Sequence, residues 1–161
     1  MKKMLLLVMI GLAIFVSKAV AQVEVKPLSD QQSMLQSSDP KLAQNKKLLY
    51  DFWREVFEGG HLELADKYMA ETYIQHNPNV ATGRQAFIDF FSKFRQPQPV
   101  ADTIQAPVVA IIAEGDMVMI SFARELPDPK DTTKKYSTTW FDMFRIENGK
   151  IAEHWDAATK Q

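Results

Sequence analysis

The stretch Thr138-Thr-Trp-Phe-Asp-Met-Phe-Arg-Ile-Glu-Asn-Gly-Lys-Ile-Ala-Glu-His-Trp-Asp156 decides the fold. It reads as two β-strands joined by a tight turn at Asn148-Gly149, a dipeptide that favours the positive φ angles of hairpin turns. Side chains alternate between the faces of a strand, so Trp140, Asp142, Phe144 and Ile146 share one side. A carboxylate between two aromatics is costly to bury unless it is paired or protonated. Asp142 is therefore a candidate pocket acid or hydrogen-bond donor. The alternative is a structural carboxylate satisfied by a neighbouring backbone group or by Arg124.

The turn sets which residues face Asp142. A two-residue Asn-Gly turn pairs Asp142 with Trp155. A three-residue loop, Glu147-Asn-Gly149, pairs Ile146 with Lys150, Asp142 with His154 and Trp140 with Asp156. The second register is favoured because it gathers Trp140, Asp142, Phe144, Ala152, His154 and Asp156 on one face and leaves Arg145 and Glu153 together on the other. His154 and Asp156 then form a candidate acid/base pair, or a structural hydrogen bond closing the end of the sheet.

Upstream, Lys41 to Glu58 is an expected helix with Leu48, Leu49, Phe52, Val56 and Phe57 at helical spacing, stopped by Gly59-Gly60. A shorter helix is expected from about Leu62 to Met69. Tyr73-Ile-Gln-His-Asn-Pro78 reads as an extended segment. Gly83 to Phe94 is a third helix whose stripe Phe87, Phe90, Phe91 and Phe94 reads as core. Strands are expected at Ile104 to Ala113, Met117 to Glu125, Tyr136 to Glu147 and Lys150 to Ala157, with a polar loop at Leu126 to Asp131. Helices followed by an antiparallel meander make an α+β pattern: a curved sheet wrapped over three helices, with a pocket between the layers.

His76 is a candidate second base on the far wall of that pocket, with Asn77 a donor to substrate; the alternative is a turn-stabilising His-Asn-Pro corner. His76, His154 and Asp156 are of metal-ligand type, but no short-spaced ligand motif occurs and no metal is expected. A Gly-rich phosphate loop, a cysteine and a Gly-x-Ser-x-Gly elbow are all absent from the sequence. Covalent nucleophilic catalysis therefore has no signature, and no cofactor is expected.

The N-terminus carries a separate signal. Lys2-Lys3, an apolar run from Met4 to Val16 and Ala19-Val-Ala21 form the pattern of a secretory signal peptide cleaved after Ala21. Residues 22–40 read as a linker or flexible arm, and 41–161 as one domain. Of the 19 basic residues, cleavage removes Lys2, Lys3 and Lys18, leaving 16 against 20 acidic, a net charge of −4. That balance gives no electrostatic footprint for nucleic acid or an anionic membrane. The expected location is periplasmic or secreted, without a stable membrane anchor after cleavage.

From about Asn45 onward the chain resembles the SnoaL-like polyketide cyclases of the nuclear transport factor 2-like superfamily. The matching features are Phe52-Trp-x-x-Val56, Tyr73-x-x-His76-Asn-Pro78, Glu114-Gly-Asp116, Phe141-Asp-x-Phe-Arg145 and Asn148-Gly-Lys-Ile-x-Glu-His-Trp-Asp156. The resemblance implies an α+β cone with a deep internal pocket, often a homodimer through its sheet. It also implies cofactor-free aldol closure by a pocket carboxylate. Ketosteroid isomerase is similar in fold, and Asp142 matches its oxyanion-hole aspartate, an acid kept neutral by an apolar site. The expected ligand is a small apolar or carbonyl-containing molecule. The catalytic candidates are Asp142, His154, Asp156 and His76, and the substrate-contacting candidates are Asn77, Trp140, Phe144 and Tyr73.

Overall fold

The computed structural model describes residues 22–160; the proposed signal segment lies outside the described residues. Helix α1 runs Pro40–Phe52. Asp39 caps it, its carboxylate accepting the amide N–H groups of Lys41 at 2.8 Å and Leu42 at 3.4 Å, while Pro40 occupies the first turn, where no N–H is missed. The chain then continues as a π-helical segment, Trp53–Glu58, rather than as α-helix. Gly60 follows at φ +71°, a left-handed conformation that costs glycine little. Helix α2 is Ala65–Tyr68 and α3 is Arg84–Phe91.

Five strands follow the order β1-β5-β4-β3-β2 across one sheet: β1 Met69–Gln75, β2 Val108–Glu114, β3 Met117–Asp128, β4 Asp131–Glu147 and β5 Lys150–Asp156. The sheet is mixed rather than wholly antiparallel, because β1 lies parallel to β5. The expected loop at Leu126 to Asp131 is also shorter than anticipated, since β3 and β4 extend to Asp128 and Asp131. Pro127 is tolerated there because β2 pairs β3 only as far as Phe122, and the stretch beyond has one free edge.

Residues 22–39 pack against the domain. The amide of Leu28 donates to the Val108 carbonyl at 2.9 Å. Gln31 brackets Ile104, donating to its carbonyl and accepting from its amide, and also accepts the Tyr50 hydroxyl. Met34, in a short 3-10 turn, is buried. No helix among the described residues is long and apolar enough to cross a membrane.

Leu49, Phe52, Val56, Ala65 and Tyr68 from the helices pack on Val118, Ile120, Phe144 and Ile151 of the sheet. Each such aliphatic or aromatic side chain contributes about 1.5–3 kcal/mol on burial. The stripe expected over Gly83 to Phe94 is core in part: Phe87 belongs to the buried cluster and Phe91 packs against it, while α3 ends at Phe91, before Phe94. Phe87 is buried, but Phe94 is 58% exposed, and Phe87, Phe90 and Phe91 all line a cavity.

Candidate active site

The hairpin adopts neither register expected from sequence in full. Asn148 and Gly149 have φ +51° and +71°, the two left-handed positions of a two-residue turn, so Glu147 pairs with Lys150 and Ile146 with Ile151. The favoured three-residue loop is therefore wrong. A β-bulge follows: β5 spends one extra residue, Ala152, between Ile151 and Glu153. Beyond it Arg145 pairs with Glu153, Phe144 with His154 and Asp142 with Asp156. The bulge shifts parity by one residue, which returns His154 and Asp156 to the face that carries Trp140, Asp142 and Phe144. Of the facing set expected from sequence, Trp140, Asp142, Phe144, His154 and Asp156 share a face through different pairs, and Ala152 is the bulged residue.

These residues line a cavity of about 640 Å³ between sheet and helices. Phe52, Trp53, Phe57 and the α3 phenylalanines form the helical wall, and Phe122, Trp140 and Phe144 part of the sheet wall. Asp142 and His154 are only 6% and 7% exposed.

His154 Nε2 lies 2.9 Å from Asp142 Oδ1, and its Nδ1 lies 2.8 Å from Gln75 Oε1. The same Gln75 oxygen accepts the Asn77 amide N–H at 2.9 Å, and Gln75 Nε2 donates to the Tyr73 hydroxyl at 3.0 Å. A backbone N–H can only donate, so it fixes which end of the Gln75 amide is oxygen. It follows that His154 Nδ1 carries a proton. The Nε2–Oδ1 contact then shares a single proton, held either as neutral acid and neutral imidazole or as carboxylate and imidazolium. Burial pushes the Asp142 carboxyl above its usual value; the hydrogen bond and charge of His154 oppose this, and the Asp156 charge adds to it.

Asp156 is anchored from two sides. Its Oδ2 accepts Asn77 Nδ2 at 2.7 Å and its Oδ1 the Ala158 amide at 2.9 Å. Tyr73 is 2% exposed, and burial, together with the charges of Asp156 and Asp142, holds its phenol far above the usual tyrosine range, so it keeps its proton. Its oxygen already accepts from Gln75, which leaves its O–H to donate to a ligand oxygen.

His76 is a correction. It does not line the cavity: its Nε2 lies 2.7 Å from Glu153 Oε1 and its ring stacks on Trp155, with centroids 5.0 Å apart, on the outer face of the sheet. Glu153 also accepts Arg145 Nε at 2.9 Å. Hydrogen bonds from His76 and then Arg145 hold its carboxyl below the usual range. Strand alternation explains this placement. Tyr73, Gln75 and Asn77 point inward, so Ile74 and His76 point outward. The same period of two from Tyr73 would have found Gln75, which sequence reading missed.

Asp142, His154 and Asp156 also offer one ligand atom each within 4.8 Å of one another. Both His154 nitrogens are already engaged, so a cation there must break the Asp142–His154 bond. The metal-type trio considered from sequence is not assembled, because His76 lies on the other face.

Helices packed on a five-stranded mixed sheet with a cavity between them make an α+β fold of the nuclear transport factor 2-like kind. The chain belongs to the SnoaL-like polyketide cyclase family, whose profile matches residues 47–161. No curated protein matches the sequence. Among solved structures, the fold is similar to that of an Acidithiobacillus ferrooxidans protein provisionally described as a polyketide cyclase. That pair shares 20% identity with a TM-score of 0.51, covering 75% of this chain and 89% of that one. It is also similar to an NTF2-like protein of unknown function from Burkholderia pseudomallei, at 14% identity and TM-score 0.50, covering 72% and 91% of the two chains. An epoxide hydrolase from M. tuberculosis shares 11% identity at TM-score 0.50, covering 74% and 81%. At these identities the likeness concerns the fold alone.

Proposed function

We propose that this protein is an exported enzyme that moves a proton next to the carbonyl of a small, largely apolar molecule, in an aldol-condensing, cyclase-type or isomerase-type reaction that needs no cofactor. The observation that carries the reading is the buried Asp142–His154 pair, held to one shared proton by Gln75, at the floor of an aromatic cavity. In the ion-pair form the Asp142 carboxylate takes the proton α to the carbonyl. The imidazolium, by its charge, and the Tyr73 O–H, as donor, stabilise the developing enolate oxygen, where preorganised electrostatics matter most. In a cyclisation, the enolate carbon bonds to a second carbonyl carbon. The resulting alkoxide receives the proton back from Asp142, and the pair is restored. Asp156 holds Asn77 in place as a donor toward substrate, and Trp140 and Phe144 pack on the ligand's flat faces.

The test asks only for proton abstraction. Mature protein from Gln22 onward is incubated in D2O with a panel of enolisable aryl ketones, and α-deuteration is followed by NMR. Wild type accelerates exchange for at least one ketone and Asp142→Asn does not. If ketones bind but exchange no faster than with Asp142→Asn, the reading fails. The non-catalytic alternative then stands: a periplasmic binding or accessory protein using the same pocket, which the largely aromatic lining supports.

Export and assembly belong to the same proposal. The Lys2-Lys3, apolar and Ala19-Val-Ala21 pattern supports secretion, and N-terminal sequencing of the exported protein should begin at Gln22. Ile112, Phe141 and Met143 are exposed large apolar side chains. Phe141 and Met143 lie on the outer face of the sheet and support a homodimer through it, to be read by light scattering.

A further inference from the structure

Arg124 stands apart from the other charged groups of the cavity. It is the one lysine or arginine among the cavity's described lining residues. Alternation along β3 sends it to the same side as Ile120 and Phe122, and its guanidinium lies over the Trp140 ring, 4.8 Å from the centroid. No ion pair among the described residues involves it. The adjacent Glu125 faces the other way and is held by Lys135 at 3.1 Å. Arg124 is solvent-exposed and also lines, with Glu24, a shallow groove beside the cavity, and no ion pair joins the two. A guanidinium held over an aromatic ring with no ion pair keeps N–H groups for a planar, two-oxygen acceptor.

Its position along the sheet sets a length. Ile120 pairs with Asp142, Phe122 with Trp140 and Arg124 with Thr138. The Trp140 ring over which the guanidinium lies belongs to the Phe122 level of the sheet, two residues from Asp142. At about 3.3 Å per residue this is roughly 7 Å, about the span of one aromatic ring and its substituent. The aromatic walls lie between.

We infer that Arg124 is an anion-recognition residue of this cavity, and that the natural ligand is a planar, mostly apolar carbonyl compound carrying a carboxylate about one ring away from the carbonyl that meets Asp142. Only the placing of that carbonyl rests on the proton-transfer reading; the carboxylate site stands on Arg124 and Trp140.

The probes are 2-naphthoate and its neutral isostere 2-naphthamide, titrated into the mature protein by calorimetry, with the Trp140 indole NMR signal reporting occupancy of the cavity. Wild type binds naphthoate at least ten-fold more tightly than naphthamide, and the preference shrinks as salt is raised. Arg124→Gln removes the preference while leaving naphthamide affinity within two-fold, and Arg124→Lys retains part of it. Equal affinities in wild type overturn the inference, as does a preference that survives in Arg124→Gln. Because binding alone is read, failure of the α-exchange experiment leaves this result untouched, and a failed charge preference leaves proton abstraction untouched.

Discussion

His154 Nε2 and Asp142 Oδ1 lie 2.9 Å apart inside an aromatic cavity, and Gln75 holds a proton on the opposite imidazole nitrogen. The contact between them therefore holds a single proton, and burial raises the Asp142 carboxyl.

Asp142→Asn should lower α-exchange by about 100-fold or more, the range of a lost general acid or base, without unfolding the protein. The Asn amide can still donate to His154 Nε2. The stability comparison has a definite sign. The Asp142 carboxyl is raised by burial, so its contribution to stability is fully present below the unfolded-state aspartate value of about 3.9 and is lost as pH rises through the folded value. Melting temperatures from pH 3 to 8 should show wild type losing stability relative to Asp142→Asn on going up in pH. A gap that does not change with pH would mean a solvated Asp142.

Gln75→Leu removes the acceptor for His154 Nδ1 and leaves buried donors unmatched, at a cost of about 1–3 kcal/mol. The imidazole 15N shifts should then lose the fixed Nδ1–H signature. Gln75→Glu keeps an acceptor there and should keep the signature, while losing the donor to Tyr73. Both variants retaining wild-type shifts would show that Gln75 does not set the tautomer.

His76→Ala should leave α-exchange within about two-fold of wild type, since the side chain stacks on Trp155 outside the cavity; an ordinary surface contact contributes ~0–1 kcal/mol. A loss of exchange comparable to that of Asp142→Asn would place His76 in the chemistry after all.

Gly149→Ala tests the turn. A Cβ there meets no atom within 4 Å, but φ is +71°, so the cost is conformational and about 1 kcal/mol. Chemical denaturation measures it, and an unchanged midpoint would contradict the two-residue turn.

The sequence discloses some of these elements better than others. Helical spacing in Leu49, Phe52 and Val56 and the Asn148-Gly149 dipeptide are local signals: the helix and the turn form where they point, though the helix passes into a π-helical segment at Trp53 and the turn has two residues rather than the favoured three. Asp142, His154 and Asp156 share a face as expected, but the reason differs: the three-residue loop that would set that parity is absent, and the bulge after a two-residue turn supplies the same one-residue shift. Their true pairing was not legible, since a bulge at Ala152 leaves no distinctive residue behind. The parallel β1–β5 pairing brings Gln75 beside His154, a contact across 79 residues that no local pattern encodes. His76 drew attention by residue type, although two-residue alternation from Tyr73 already sends it outward. The α3 phenylalanines have the period of a core stripe, and a cavity wall has the same period.

The most direct test of the shared proton is an NMR titration of the mature protein, following the Asp142 side-chain carboxyl carbon and both His154 ring nitrogens together. Expected are an Asp142 carboxyl that titrates above the ordinary aspartate value and a His154 Nδ1 that carries a proton while it does. An Asp142 that titrates at its ordinary value, or a His154 Nδ1 without a proton, removes the proton-transfer mechanism.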